Sequence, residues 1–465
     1  MIWRAEVDAR IAAEGTSFRW RAIATLLLGT FVAVMEGTVV NVALPAIQRE
    51  FGIGYATAQV LATAFLAATT VTMLMAPWTI RRFGLRRAYG VAVGCLLLAS
   101  LMAALVGHLH FSILVVCRIL QGAAAGLIQP IAMVGLLPLF PPNAHGRAMA
   151  VYGLGIVLAP AIGPVVGGLL VDSLGWSGVF LVAVPPSAAA WYGCRRYLYE
   201  GRGEEASVRL PDLPSLALIS FALVAVLTSV PTFGSESALP LLLAGLVAGV
   251  CFVLRQRRLA DPLLNPRLFS APGVGAGLGV ALVYGAGLYG STYLIPLFAQ
   301  HQLNASAFAA GLLLLPGGAA LAAILPLGGT LADRIEVRKV VVAGLLCFAG
   351  GSGALALSGS STALIWVATW VVLGRIGLGL LIPSLNGGVM RLADPDDLNA
   401  VTAAMNFSRQ LGGALGIVLL AAWLEFSSAR YDIAWGFTLG FAMVAGLFVL
   451  GAIPACRIRR VDAPV

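Results

Sequence analysis

Glu36 is the residue in this sequence best placed to do chemistry. It is an acid near the middle of a long apolar run that contains VMEGTVVNVALP, and it is the one acid that lies well inside any such run. An ionised carboxylate at mid-membrane depth costs about 2.5–3.5 kcal/mol on insertion scales, so the group favours taking up a proton. Intramembrane acids are rare and usually functional, which predicts a proton or cation site at Glu36. A permanent structural ion pair is the alternative.

Arg118 is the second candidate, in the apolar run that contains RILQGAAAGLIQP. A buried arginine stays charged and needs an anion, and Glu36 is its most plausible partner in the chain. Helical spacing puts Gly122, Ala125 and Gln129 on the same face as Arg118, which predicts a polar, close-packing stripe. If Glu36 alternates between a proton and this ion pair, the pair couples a substrate to protons. The alternative is a packing arginine bonded to backbone carbonyls.

Another polar stripe lies near the C-terminus, where Thr402, Asn406, Arg409 and Gly413 recur at helical spacing. This stripe is predicted to face the interior. Asn406 and Arg409 could then line a substrate cavity or, equally, bond to neighbouring helices. The aromatic residues available to line an apolar cavity are Phe31, Phe65, Tyr284, Tyr289, Tyr293 and Phe407.

The composition identifies the elements that must position these residues. Of the 465 residues, 60% are hydrophobic and 11% are charged, against about 45–50% and about 25% in soluble proteins. The apolar runs are long enough to cross a bilayer as helices and lack the alternation of a membrane barrel. Lys339 is the single lysine, which excludes a phosphate-binding G-x-x-x-x-G-K-[ST] loop, and there is no H-E-x-x-H motif for zinc. We expect a polytopic all-α membrane protein, not an enzyme, with no cofactor and no metal.

Apolar runs between charged or Pro/Gly breaks predict about fourteen transmembrane helices. They lie near 22–43, 59–79, 88–107, 111–137, 148–171, 177–193, 215–232, 239–254, 272–298, 308–332, 338–358, 363–389, 400–424 and 434–455. The arginines fall almost entirely in every second loop, and Arg49 and Arg430 are the two on the other side. By the positive-inside rule both termini are cytoplasmic. We expect a multi-pass protein of the bacterial plasma (inner) membrane.

An internal repeat divides the chain. Basic loops follow the second span of each half. Two spans after each loop, Arg118-Ile-Leu-Gln-Gly in span four and Arg375-Ile-Gly-Leu-Gly in span twelve place an arginine and a glycine at the same spacing. This predicts two six-helix halves plus two extra central helices, an architecture in which ligands bind at mid-membrane between the repeats. The predicted segments are an N-terminal cytoplasmic segment at 1–21, the first half at 22–197, the linker helices at 198–270, the second half at 271–456 and a cytoplasmic tail at 457–465.

The predicted fifth span has a regular pattern of small residues. Gly155, Ala159, Gly163 and Gly167 recur every four residues, a spacing that lets two helices approach closely. Pro160 and Pro164 remove backbone hydrogen bonds and bend the helix. Taken alone, the pattern indicates a tight packing seam.

Four motifs in order resemble those of the major facilitator superfamily, specifically its fourteen-span drug:proton antiporters. Glu36-Gly-Thr-Val-Val-Asn-Val-Ala-Leu-Pro resembles the family's span-one motif, and Arg118-Ile-Leu-Gln-Gly its span-four motif. The segment Gly155 through Gly168 resembles the span-five antiporter motif, and Arg409-Gln-Leu-Gly-Gly-Ala-Leu-Gly a span-thirteen signature. The resemblance implies the major facilitator fold, Glu36 as the proton-linked acid and Arg118 as the residue that assists proton transfer. It also implies a conformational seal against leak, formed by Gly155, Pro160, Gly163, Pro164, Gly167 and Gly168.

The sequence departs from the family pattern in its cytoplasmic loops. The family motif G-x-L-A-D-R-x-G-R-[KR] has Pro77 at its glycine and Arg81 at its aspartate in the first half, whereas the second half keeps Gly329, Asp333 and Arg334. The family also usually has aspartate where this chain has Glu36. We therefore expect the gate contacts to be rearranged or carried by Asp333. The predicted cytoplasmic gate residues are Arg81, Gly84, Arg87, Gly329, Asp333 and Arg334.

The favoured function is export of amphipathic small molecules in exchange for protons, with Glu36, Gln129, Asn406 and Arg409 as substrate-binding residues. The expected partners are the small-molecule substrate, protons and the lipid bilayer, with no nucleic acid and a monomeric transport unit. If the host has two membranes, relatives imply a periplasmic adaptor and an outer-membrane channel. The alternatives are a proton-coupled or passive carrier of a specific metabolite, and a non-transporting membrane sensor.

Overall fold

The computed structural model describes residues 3–140, 145–201, 211–230, 238–259, 262–392 and 398–458, and their side chains except at 56, 145–158, 161, 332, 333, 398 and 399. Within these ranges the regular structure consists of α-helices and short 3-10 segments, with no strand. The all-α prediction is confirmed.

The first part of the chain folds into helices that begin and end close to the predicted apolar runs. They are α1 (Arg4–Glu14), α2 (Thr16–Val39), α3 (Leu44–Phe51), α4 (Tyr55–Ala58), α5 (Val60–Met73), α6 (Ala76–Phe83), α7 (Leu85–Val106), α8 (Phe111–Leu136), α9 (His145–Leu174), α10 (Gly178–Leu181) and α11 (Val184–Tyr197). A 3-10 segment, Val40–Val42, continues α2 toward α3.

The rest of the chain repeats this pattern after two central helices. The central helices are α12 (Leu213–Ser229) and α13 (Ala238–Arg258). They are followed by α14 (Arg267–Ser270), α15 (Val274–Gln302), α16 (Ala307–Leu312), α17 (Leu315–Arg334), α18 (Val337–Ala356), α19 (Leu364–Arg391), α20 (Leu398–Arg430) and α21 (Ile433–Ala455).

The described residues contain ten helices long and apolar enough to cross a membrane. The pair α5 and α6 passes the same test together, with a bend of 55° between its members, which gives up to eleven crossings. Pro77 lies in the first turn of α6, where a proline is tolerated but cannot continue a preceding helix. Helices occupy all fourteen predicted positions, although the predicted spans near 59–79, 177–193 and 308–332 are each built from two helical pieces. The multi-pass architecture is confirmed, and the number fourteen stays a prediction.

The helices pack in two bundles. In the N-terminal bundle (α2–α11), α2 packs on α8, α9 and α11, and α8 also packs on α5 and α7. In the C-terminal bundle (α15–α21), α15 packs on α20 and α21, and α19 packs on α17 and α18. Helices α12 and α13 pack mainly on each other. The bundles meet where α9 contacts α16 and α17 and where α5 contacts α20.

Candidate functional site: a buried ion pair and a second buried arginine

Glu36 of α2 and Arg118 of α8 form an ion pair inside the N-terminal bundle. Nη1 of Arg118 lies 2.9 Å from Oε2 of Glu36, and both side chains are completely buried. The two residues are 82 positions apart in the chain, so the pair exists because α2 and α8 pack together. The partner expected from the sequence is the one that the structure provides.

Several neutral groups also hold the Arg118 guanidinium. Its Nε donates to the Leu61 carbonyl at 2.9 Å, Nη2 donates to the Glu36 carbonyl at 2.9 Å, and Nη1 also donates to Oε1 of Gln121 at 3.0 Å. The guanidinium carbon lies 4.4 Å from the centre of the Phe65 ring. These contacts would keep Arg118 in place if Glu36 became neutral, because none of them involves the carboxylate.

The second carboxylate oxygen of Glu36 is not satisfied in the same way. Oε1 is buried and has no hydrogen-bond partner. An unpaired carboxylate oxygen in a dry interior is costly, and a proton or a donor group from a ligand removes that cost. Glu36 can therefore bind a proton on Oε1 while Oε2 faces Arg118.

Close packing of α5 against α8 brings this site together. A Cβ at Gly122 would collide with the backbone carbonyl of Phe65. The hydroxyl groups of Thr69 and Thr72 donate across the interface to the carbonyls of Gly122 and Ala123, each at 3.0 Å. Gly122 is thus a packing position against α5.

The predicted stripe on α8 is therefore partly a packing surface. Ala125 is completely buried and Gln129 is 8% exposed, farther along the helix from the ion pair. The residue that touches Arg118 is Gln121, whose Nε2 also donates to Oγ of Ser100 at 2.9 Å. The sequence prediction missed Gln121, although its position three residues after Arg118 is a neighbouring position on a helix.

The C-terminal bundle buries a second arginine, Arg375 of α19, with 6% of its surface exposed. Its Nη2 donates to the hydroxyl of Thr292 on α15 at 2.8 Å. The sequence identified Arg375 as the repeat of Arg118 but did not single out Thr292. The structure therefore adds a buried Arg375–Thr292 contact to the candidate site.

The predicted stripe on α20 contacts the same helix, α15, through Arg409. Arg409 donates to the Tyr289 hydroxyl at 3.0 Å and to Oδ1 of Asn406 at 3.4 Å, and Asn406 donates to the Thr402 carbonyl at 3.1 Å. Arg409 and Asn406 are half-buried. Both predicted roles, bonding to neighbours and lining the interior, are compatible with this geometry.

The candidate aromatic residues divide between core and site. Phe65, Tyr284, Tyr293 and Phe407 are buried, and Phe31 is half-buried. Among these five, Phe65 is the ring that lies over Arg118 and makes a cation–π contact with its guanidinium.

Helix α9 carries the small-residue motif and lies between the bundles. A Cβ at Gly167 would come within 2.7 Å of the Val39 side chain on α2, and Gly163 also faces α2. On another face of α9, a Cβ at Gly168 would collide with the Ala307 carbonyl of α16. The motif is therefore a seam through which α9 contacts both bundles.

The rest of the motif agrees with this arrangement. Pro160 and Pro164 lie inside α9, and the Pro164 carbonyl occupies the space that a Cβ on Gly311 of α16 would need. Gly155 also belongs to α9, in the range whose side chains lie outside the description. The packing is observed, and the sealing role stays a prediction.

The bundles also meet through hydrogen bonds at the end of the molecule that carries α3 and α4, called here the α3–α4 end. The Tyr55 hydroxyl lies 3.4 Å from Nε2 of His301, and Gln300 donates to the Val42 carbonyl at 3.3 Å. The Asp172 carboxylate accepts the first backbone N–H groups of α16. A cavity of about 640 Å³ opens here, lined in part by Arg49, Tyr55, Asp172 and His301.

The first predicted gate loop is held within its own bundle. Gly84 separates α6 from α7 with φ of 77°, in the left-handed region that favours glycine. The backbone N–H of Leu85 then donates to the Gly201 carbonyl at 3.1 Å. Arg81 and Arg87 are exposed.

The second gate loop contains an acid that the sequence prediction missed. Gly329 lies on α17, Arg334 is exposed at its end, and the side chain of Asp333 lies outside the described residues. Glu336 forms ion pairs with Arg338 at 2.9 Å and with Lys339 at 3.6 Å. The role of the six predicted residues as a gate stays a prediction.

Comparison with known proteins identifies the family to which this chain belongs. A family model described as Major Facilitator Superfamily matches residues 26–417 and also 278–464. The first match alone includes most of the chain and spans both bundles.

Two curated relatives are similar over nearly the whole length. The puromycin resistance protein pur8 of Streptomyces alboniger is 30% identical over 460 residues, covering 94% of this chain and 90% of the relative. The methylenomycin A resistance protein of Streptomyces coelicolor is 28% identical over 449 residues, covering 94% and 91%.

The fold also resembles solved structures. The crystal structure of a POT family transporter in complex with 5-aminolevulinic acid superposes with a TM-score of 0.72 at 15% identity, covering 93% of this chain and 95% of that one. At this identity the likeness supports the fold alone.

Proposed function

The chain belongs to the Major Facilitator Superfamily and is a multi-pass membrane transporter of small molecules, and we propose that it exports amphipathic toxic compounds in exchange for protons by alternating access. Glu36, completely buried, with one oxygen on Arg118 and the other without a partner, is the single observation that carries the proposal. The printed names of the two relatives, which describe antibiotic resistance, favour export of drug-like compounds.

The coupling step follows from the contacts of the pair. When Glu36 is ionised, Arg118 balances its charge; when Oε1 takes up a proton, Arg118 stays bound to Leu61, Gln121 and the Glu36 carbonyl. Protonation therefore leaves a positive charge in the N-terminal bundle without a large rearrangement. Substrate bound by Gln129, Asn406, Arg409 and Glu36 between the bundles would respond to that change. Arg118 acts as a positioning residue for the proton site.

The architecture we propose is the fourteen-span form of the family. It has two six-helix halves at 22–197 and 271–456, separated by two linker helices within 198–270, with cytoplasmic segments at 1–21 and 457–465. The arginine distribution places both termini in the cytoplasm, so the α3–α4 end faces outward. In this orientation the seam of α9 against α2 and α16 closes the outer side, and Gly84, Arg81, Arg87, Gly329, Asp333 and Arg334 lie at the cytoplasmic gate.

We place the transporter in the bacterial inner membrane as a monomeric transport unit. In a host with two membranes, a periplasmic adaptor and an outer-membrane channel would complete the export route. A gradient of one pH unit is worth about 1.4 kcal/mol per proton, which can sustain about a tenfold gradient of a neutral substrate.

The proposal is tested in proteoliposomes with an imposed pH gradient. Export of two dyes, the lipophilic cation ethidium and the zwitterion rhodamine 110, is compared between wild type, Glu36→Gln and Asp8→Asn. Asp8 is an exposed carboxyl on α1 and serves as the matched control. We expect the pH gradient to drive export in wild type and Asp8→Asn, and Glu36→Gln to fold but lose the response to the gradient.

Two results would contradict the proposal. If wild type exports neither dye, the proposed activity is wrong. If Glu36→Gln responds to the gradient like wild type, the proton is carried elsewhere and the assignment of Glu36 is wrong.

A further inference from the structure

Arg375 is a buried cation that faces a neutral group. Its side chain is 94% buried in the middle of α19, and Nη2 donates to the Thr292 hydroxyl at 2.8 Å. A guanidinium stays ionised in proteins, so this charge cannot be removed by losing a proton. A hydroxyl accepts one hydrogen bond but does not balance the charge.

The helices around Arg375 offer no carboxylate at its depth. The sequences of α15, α18, α19 and α21 contain no Asp or Glu. In α17 and α20 the acids are Asp333, next to the last residue of its helix, and Glu425, which lies against Gly54 at the α3–α4 end. An anion at mid-depth in the C-terminal bundle must therefore come from outside these helices.

A second arginine contacts the same helix one turn away. Arg409 donates to the Tyr289 hydroxyl at 3.0 Å, and Tyr289 precedes Thr292 by three residues on α15. Residues three apart on a helix are neighbours, with Cβ atoms about 5–6 Å apart. Arginines from α19 and α20 thus bond to residues three apart on α15.

This part of α15 lies where the two bundles meet. The Thr292 backbone carbonyl accepts a hydrogen bond from Nδ2 of Asn41 at 3.4 Å, across the boundary from the N-terminal bundle. Transporters built from repeats hold their ligands at such a boundary, near the middle of the membrane.

We propose that Arg375, bonded to Thr292, is a subsite for the carboxylate of an amphipathic substrate, with Arg409 bonded to Tyr289 one turn along α15. The subsite rests on the proposed transport function and narrows it, because the preferred substrates then carry an acidic group. The carboxylate of the substrate acts as the counter-ion of Arg375, just as the carboxylate of Glu36 acts as the counter-ion of Arg118.

The test uses two dyes that differ in a single ester. Rhodamine 110 is a free acid, and rhodamine 123 is its methyl ester. Binding of each dye to the purified full chain is measured by fluorescence anisotropy, which needs no transport. We expect wild type to bind the acid about tenfold or more tighter than the ester, because hydrogen bonds to charged groups are among the stronger ones.

Variants of the chain test whether the preference for the acid over the ester depends on Arg375. Arg375→Gln is expected to bind both dyes with the affinity of wild type for the ester, and Arg375→Lys to keep most of the preference. Thr292→Val keeps the arginine and removes its hydroxyl partner, so the preference should persist. Arg430→Gln, at the end of α20, is the matched control for loss of one arginine.

Equal binding of the two dyes by wild type, or a preference that survives in Arg375→Gln, overturns the subsite. Equal loss of both dyes in Arg375→Gln also overturns it, since that result indicates a structural role. The export assay in a pH gradient distinguishes failure of the subsite from failure of the proposed function. If only the subsite is wrong, export still depends on Glu36 but the acid is not preferred. If only the proposed function is wrong, the acid is still preferred but the pH gradient does not drive export.

Discussion

The two bundles each bury an arginine, yet the arginines face different chemistry. Arg118 lies 2.9 Å from the Glu36 carboxylate, whereas Arg375 lies 2.8 Å from the Thr292 hydroxyl. In both cases the partner is on the first long helix of the bundle, α2 or α15. Both bundles therefore bury an arginine that bonds to the first long helix of the bundle. The bonded group is a carboxylate in the N-terminal bundle and a neutral hydroxyl in the C-terminal bundle. This difference suggests a division of labour, with the proton in one bundle and the anionic group of the substrate in the other.

Removal of Arg118 and removal of Arg375 should therefore change the free energy of unfolding by different amounts. Removal of one member of a buried ion pair leaves a charge without a partner, which typically costs about 3–5 kcal/mol. Removal of an arginine that has no carboxylate partner leaves no such charge.

The largest expected effect is therefore on the stability of an Arg118 variant. Arg118→Met should lower the free energy of unfolding by about 3–5 kcal/mol, because Glu36 loses its counter-ion. Arg375→Met should change it little or increase it. The measurement is the thermal unfolding midpoint of the purified protein for both variants.

The pH dependence provides an internal control for this prediction. The destabilisation by Arg118→Met should shrink at low pH, because a protonated Glu36 needs no counter-ion, whereas Arg375→Met should show no such trend. Equal thermal midpoints for Arg118→Met and Arg375→Met would contradict the expectation that the ion pair makes Arg118 more important for stability than Arg375.

An intermediate effect is expected when the C-terminal bundle is made to resemble the N-terminal one. Thr292→Asp places a carboxylate beside Arg375 and balances its charge within the protein. The preference for rhodamine 110 over rhodamine 123 should then fall by about tenfold, to near unity. Thr292→Asn, of similar size and neutral, is the control and should keep the preference; a preference retained by Thr292→Asp would contradict the comparison.

The smallest effect is expected at an ion pair outside the two bundles. Asp212, just before α12, accepts bonds from Nε and Nη2 of Arg255 at 2.7 and 2.6 Å, and the hydroxyl of Ser215 also donates to it. These contacts, the Arg255 hydrogen bonds first, lower the pKa of Asp212 below its ordinary value. A carboxyl with a lowered pKa stabilises the fold above its ordinary pKa and loses that contribution as pH falls through the lowered value.

Asp212→Asn should therefore produce a slightly lower thermal midpoint at neutral pH. The difference from wild type should begin to shrink as the pH falls below about 4 and disappear only below the lowered pKa of Asp212. The effect should be small because Arg255 is substantially exposed and surface ion pairs contribute little. A decrease as large as that of Arg118→Met would show that burial does not set the strength of these pairs.

Much of the fold could be predicted from the sequence because a membrane restricts the choices. Apolar runs of the right length must become helices, and these form at each predicted position. The bend between α5 and α6 was harder to foresee, since Pro77 is compatible with either a kink or a new helix start. The sequence also pairs Glu36 with Arg118, because a buried charge needs a partner and the chain offers one acid at that depth.

Other parts of the site depend on contacts that no local pattern records. Gln121 contacts Arg118 while Gly122 packs on α5, because the rotation of α8 against its neighbours decides which face meets which helix. Thr292 is one of many hydroxyl residues in apolar runs, and only the packing of α15 on α19 places it beside Arg375.

The sequence by itself determined the class of protein, the helical positions and the acid at Glu36 inside an apolar run, because hydrophobicity and the cost of burying charge act locally along the chain. The tertiary structure decided that the two repeated arginines have different partners, and that α9 packs against both bundles. These features depend on which helices come within hydrogen-bonding distance, and that follows from the packing of the whole molecule.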